Sequence, residues 1–224
     1  GLMLMGITLV YGSSGTFQLG ELMTPGSKPT VLLIAGIMLL IFSMAFKVSA
    51  APFHFWAPDV YDGSPSVFTS FMATIVKAAG FIAFIRLFYY GFGSIHESWT
   101  FIIAVITVLT LITGNITAVF QQSVKRMLAY SSIAQAGFML MVLLAMNTTA
   151  MEGLLLYAVA YSLSTIGLFA ILIKMKDYTF EGFNGLAKYQ PLLAGTAVVF
   201  LMSLAGIPLT AGFLAKFYML KAVI

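Results

Sequence analysis

The sequence predicts an all-α, polytopic transmembrane helix bundle with discontinuous helices and an inverted repeat. Three observations lead there. The chain is 61% hydrophobic and only 8% charged, whereas a soluble domain carries about 25% charged residues. Apolar runs long enough to span a bilayer at helical rise recur along its whole length. Two of these runs combine an internal lysine with a proline-marked break, and they lie five segments apart. An odd offset turns the second copy of a repeat upside-down in the bilayer, and paired broken helices mark the transport site of such repeats.

The elements follow in order. An apolar run over about 1–12 ends at Tyr11-Gly12-Ser13-Ser14-Gly15, and a loop with Pro25, Gly26 and Pro29 comes next. The second segment covers about 30–61 and is interrupted near Pro52. Segments at about 66–90, 99–120, 126–146 and 151–173 are uninterrupted. The seventh, about 191–224, is broken at Gly206-Ile207-Pro208. Residues 1–224 read as one transmembrane domain. Because the chain starts inside one apolar segment and stops inside another, it reads as a piece of a longer protein.

Charge asymmetry sets the orientation. Lys125, Arg126, Lys174, Lys176 and Lys188 fall on the side where the second segment exits, against Lys28 alone on the other. Loops near 57–65, 121–126 and 174–190 are therefore predicted cytoplasmic. Trp56, Trp99, Tyr89 and Tyr90 sit near segment ends, where interfacial anchors are found. Asp59 and Asp62 are placed at the interface, capping or salt-bridging the start of the third segment.

The absence of cysteine excludes disulfides and cysteine-ligated iron–sulfur clusters. His54 and His96 are the only histidines, which argues against a metal site. The net charge of +4 reads as topology, with no nucleic-acid partner implied.

Three lysines lie inside apolar segments: Lys47, Lys77 and Lys216. A charge at the bilayer centre costs about 2.5–3.5 kcal/mol on insertion scales. Lys77 follows Pro65 by twelve residues, roughly 18 Å of helix. Lys47 precedes Asp59 by the same count, so the two share a depth. Arg86, near the far end of its segment, snorkels. Each internal lysine can be structural, paired with a carboxylate or carbonyls. Burial disfavours a charged ammonium, so each can also be a switchable proton holder. No carboxylate lies mid-membrane in this sequence, so an acidic partner must come from elsewhere.

Polar residues near these lysines fall on helical stripes: Ser70, Thr74 and Lys77; Tyr157, Tyr161 and Ser164; Ser131 and Gln135. A single stripe reads equally as an interhelical hydrogen-bond seam. Several stripes together with three lysines predict a hydrated polar core. Pro52 removes a backbone donor, and freed backbone at membrane depth must face protein or a water-filled cavity. Water there reaches Lys47. His54, just past the break, is suited to a relay by its titration near neutral pH, or it serves only as a hydrogen-bonding group.

Three stretches carry a family resemblance: KVSAAPFHFWAPDVYDGSPSVFTSFMATIVKAAGFIAFIRLF, SVKRMLAYSSIAQAGFML and LMSLAGIPLTAGFLAKFYMLKA. They resemble the N-type subunits of bacterial respiratory complex I, within the family of antiporter-like proton-translocating membrane subunits. The form PDVY-x-G-x-P points to the N type over its L and M sisters. The resemblance spans essentially the whole chain, as helices six to twelve of a fourteen-helix protein. It implies that Lys47 is the proton carrier of the broken seventh helix, paired with a glutamate on helix five, which would precede Gly1. It implies that Lys77 connects two half-channels and that Lys216 stands near the exit, with Pro52, His54, Gly206 and Pro208 at or near the breaks. Lys221 matches no part of the pattern.

The implied function is proton translocation driven by quinone reduction elsewhere in an NADH:quinone oxidoreductase of the bacterial inner membrane. Its partners would be the other membrane-arm subunits, the lipid bilayer, protons and water. Flavin, iron–sulfur clusters and quinone are expected in partner subunits, since no glycine fingerprint or flavin motif occurs here. An Mrp-like cation/proton antiporter subunit and a non-pumping scaffold subunit of the membrane arm are the alternatives.

Overall fold

The computed structural model describes residues 1–22, 28–175 and 177–224; Pro25, Gly26 and Lys176 lie outside the described residues. Helix α1 (Leu2–Ser14) packs antiparallel to α2 (Val31–Lys47), which starts where the Thr30 side chain accepts the Leu33 N–H at 3.1 Å. Helix α2 stops at Lys47, five residues before Pro52. The chain turns through 48–55 and resumes as α3 (Trp56–Gly63). The Ala51–Pro52 peptide is cis.

Helix α4 (Ser66–Gly91) runs unbroken but holds two π-helical stretches, Met72–Val76 and Leu87–Gly91. Helices α5 (His96–Val119), α6 (Val124–Ala145) and α7 (Thr148–Lys174) follow, α7 capped by the Asn147 side chain. These four lie in spans long and apolar enough to cross a membrane. A single turn, Leu186–Tyr189, leads to α8 (Pro191–Ala205), whose first residue is a proline suited to that position. Helix α9 (Ala211–Val223) closes the chain.

Helix α6 is the hub. Its membrane window is 67% buried, against 28% for that of α5, and it packs on α3, α4, α5, α7 and α9. The α5–α6 contact depends on two reciprocal glycines. A Cβ on Gly114 would stand 2.5 Å from the Ala134 nitrogen, and one on Gly137 would stand 2.8 Å from Leu111 Cγ. The outer face of α5 exposes Phe101, Val105, Val108 and Ile112, as suits a surface solvated by lipid tails.

Two tryptophans sit differently from the interfacial placement their positions suggest. Trp99 is fully buried between Phe88 and His96 and donates its indole N–H to the Phe92 carbonyl at 3.1 Å. Enclosure by neighbouring rings outweighs its nearness to a segment end. Trp56 is half-buried and donates to the Phe46 carbonyl at 3.0 Å, across the break. Asp59 and Asp62 pair with Arg126 of α6 at 2.9 and 3.8 Å.

Candidate functional site

The first break satisfies its backbone from several sides. Val48, Ser49 and Ala50 fold back on the Met44, Phe46 and Ala45 carbonyls, and Trp56 adds a second bond to Phe46. The Ala51 N–H donates to Thr110 Oγ1 of α5 at 2.9 Å. Irregular backbone thus meets protein rather than lipid. Ser49 takes a φ of 62° and is fully buried, a left-handed conformation that costs a side-chain-bearing residue about 1 kcal/mol. Its hydroxyl has no partner among the described residues.

None of these bonds uses Lys47. Its side chain is exposed and opens into a cavity of about 340 Å³ that Phe46, Trp56, Tyr61, Met72, Val76 and Lys77 complete. The structure therefore brings Lys47 and Lys77 to one space. Lys77 itself is 2% exposed, and its Nζ donates to the Ser132 carbonyl at 2.8 Å and to the Ser132 hydroxyl. It follows directly on the π-helical stretch Met72–Val76. Such a stretch displaces the local hydrogen-bond register, and here the Ala73 carbonyl accepts the Tyr161 hydroxyl at 2.9 Å.

The second break is closed by its own lysine. Helix α8 ends with Gly206 at φ 80°, whose N–H and that of Ile207 return to the Met202 carbonyl at 3.0 Å. The Leu204 and Ala205 carbonyls then accept Lys216 Nζ at 2.7 and 3.1 Å. The ammonium also stands 4.8 Å from the Phe138 ring centroid. A cation at a helix C-terminus is electrostatically favoured.

A polar seam runs from there into the bundle. The Leu204 carbonyl accepts Gln135 Nε2 at 3.0 Å, while the Gln135 carbonyl oxygen accepts the Tyr157 hydroxyl. A pocket of about 10 Å³ lies among Gln135, Tyr157, Tyr161, Ser203 and Lys216, close to the volume one water needs. Tyr161 borders this pocket, and its hydroxyl donates to the Ala73 carbonyl of α4. Lys77, through Ser132, and Lys216, through the pocket of Gln135, Tyr157 and Tyr161, thus both border polar side chains of α6 and α7.

His54 stands apart from both lysines. It is 9% exposed, stacks on Phe55, and keeps Nδ1 without a partner among the described residues. It does not line the Lys47–Lys77 cavity. Pro208 lies in the turn between α8 and α9. Sequence reasoning chose Ser131, but its neighbour Ser132 holds Lys77. The two are one residue apart on α6, and only the rotation of that helix separates them. Lys125, counted with the loop charges, is buried at 4%. Among the described residues, no group of three or more His, Asp or Glu could hold a metal ion.

Fold and site together define a class: an α-helical membrane protein with two interrupted helices and internal lysines, two of them, Lys77 and Lys216, held by neutral oxygens. The chain belongs to the NADH:quinone oxidoreductase/Mrp antiporter transmembrane family, whose model matches residues 1–224. It is 43% identical to NADH-quinone oxidoreductase subunit N of Desulforamulus reducens and 41% identical to that of Chloroflexus aggregans, each over 99% of this chain and 48% of the relative. It resembles a chain of respiratory complex I from Thermus thermophilus with bound aureothin at 37% identity and a TM-score of 0.84. That likeness covers 99% of this chain and 48% of the other. The chain spans about half the length of the curated relatives it matches.

Proposed function

We propose that this chain carries protons through Lys47, Lys77 and Lys216 as a proton-translocating subunit in the membrane arm of an NADH:quinone oxidoreductase. One observation carries the reading: Lys77 and Lys216 are bonded to carbonyl and hydroxyl oxygens, with no carboxylate among their partners in the described residues. Removing a proton from a buried ion pair strands an uncompensated charge. Removing one from an ammonium held by neutral acceptors strands none, so such a lysine can load and unload. The seam of Ser132, Tyr161, Tyr157 and Gln135 offers hydroxyl and amide groups between the two amines. His54 serves as an accessory proton acceptor, its Nδ1 being unpartnered among the described residues.

The energy scale supports such a relay. Moving one charge against 100 mV takes about 2.3 kcal/mol, and each unit of pKa change supplies about 1.36 kcal/mol. In this reading the chain performs no redox chemistry itself. Flavin, iron–sulfur clusters and quinone belong to partner subunits, and the unit sits in a bacterial inner membrane with loops near 57–65, 121–126 and 174–190 cytoplasmic. Residues 1–224 form one transmembrane unit of a longer subunit, about helices six to twelve of fourteen.

The test places Lys47→Met and Lys77→Met in the assembled complex in sealed vesicles, with assembly read on a native gel. Protons pumped per NADH oxidised should fall to near background in both. Pumping at the wild-type level in an assembled complex would make the lysines structural and the chain a scaffold.

A further inference from the structure

Lys125 has no part in the proposed relay, yet it is buried as a relay lysine would be. It lies in the first turn of α6, 4% exposed, and its Nζ donates to the Asp62 carbonyl at 2.8 Å and the Ser64 carbonyl at 2.5 Å. The same ammonium stands 5.5 Å from the Tyr178 ring centroid. Asp62 and Ser64 belong to the last turn and the C-cap of α3. Carbonyls there lack helical partners and carry the negative end of the helix dipole, so a buried cation is a matched cap.

The neighbouring Arg126 pairs with Asp59 and Asp62 from the exposed side, where ion pairs contribute little. Lys125 is therefore the stronger hold on this turn from α6. A second hold is internal: Thr69 of α4 donates to the Tyr61 carbonyl at 2.9 Å. Tyr61 in turn lines the cavity of Lys47 and Lys77.

Seven residues, or two helical turns, separate Lys125 from Ser132, so both lie on one face of α6. That face grips the α3–α4 turn at one end and the Lys77 amine at the other. Between the two grips runs α4, continuous from Ser66. Fixing its start fixes where its interior lysine arrives.

We propose that Lys125 is a positioning residue for the proton site at Lys77, setting the register of α4 against α6 by capping α3. The proposal rests on the relay reading above, and the experiment separates the two. Lys125→Met, Lys125→Arg and Lys77→Met are each placed in the assembled complex in sealed vesicles. Pumped protons per NADH oxidised and the assembled amount are both measured. The Lys125→Met complex should pump several-fold fewer protons per NADH, and Lys125→Arg, which keeps donors for both carbonyls, should recover most of the loss. Lys77→Met should abolish pumping.

Normal pumping in Lys77→Met overturns the relay and this role with it. Lost pumping in Lys77→Met beside wild-type pumping in Lys125→Met overturns the positioning role alone, as does failure of arginine to rescue. Should Lys125→Met assemble poorly, Lys125→Gln, which keeps amide N–H donors but loses the charge and the reach to both carbonyls, decides the matter. Reduced pumping at normal NADH oxidation supports the role, and wild-type pumping overturns it.

Discussion

The two interrupted segments carry the same marks in sequence, a lysine and a proline, but they settle the cost of interruption in opposite ways. At the first break the freed groups are satisfied by other parts of the fold, Trp56 across the gap and Thr110 from α5. Lys47 makes no hydrogen bond to the break among the described residues and faces a cavity. At the second, the lysine itself crosses the gap and holds the Leu204 and Ala205 carbonyls. The order of lysine and break explains the contrast. Lys47 closes the half-helix before its break, where its side chain can extend away from the gap. Lys216 lies on the half-helix after its break, within reach of the carbonyls left behind. A shared sequence signature thus yields one lysine free to exchange partners and one that doubles as a cap.

Five substitutions test this contrast in the full-length protein in detergent, read as thermal unfolding and amide hydrogen exchange. The largest effect is expected from Gly206→Ala. The residue has φ 80°, and a Cβ there would stand 2.8 Å from Lys216 Cδ. Strain and a displaced cap together should cost about 2–3 kcal/mol. Gly195→Ala in mid-α8, where nothing lies within 4 Å, should instead be neutral or stabilising. Equal effects at the two glycines would remove the case for a lysine-closed break.

Thr110→Val comes next. It orphans the buried Ala51 N–H and should cost about 1–2 kcal/mol, with faster hydrogen exchange at that amide. Unchanged exchange would mean that the first break does not depend on α5. The smallest effect on a break is expected from Lys47→Met, which should leave hydrogen exchange at the Val48–Ala51 amides unchanged, because none of the bonds that close the first break uses Lys47. Lys216→Met, by comparison, should cost about 1–2 kcal/mol through its two carbonyls. Faster exchange at those amides in Lys47→Met would erase the distinction between the two lysines.

Much of the site was legible as residue types. Lys77 announced itself because an unpaired cation inside an apolar run admits few explanations, and Tyr157, Tyr161 and Gln135 stood out as polar positions at helical spacing. Ser132 did not separate from Ser131, since adjacent residues differ only by the rotation of α6. Lys125 was hidden by the opposite difficulty. A basic residue at a segment end normally faces water, and its burial depends on α3 ending beside it. The burial of Trp99 was not legible for a similar reason, being decided by Phe88 and His96.

By itself the sequence determined that this chain lives in a membrane, that two of its helices are interrupted, and which lysines lie inside. Those features follow from local composition and from the backbone chemistry of proline and glycine, which act without distant partners. Only the tertiary structure decided which oxygen each ammonium meets, because those acceptors come from residues up to 63 positions away, as Asp62 does for Lys125. Carbonyls are present at every residue, so no pattern in the sequence marks the few that the packing of α3, α6 and α8 leaves open to a lysine.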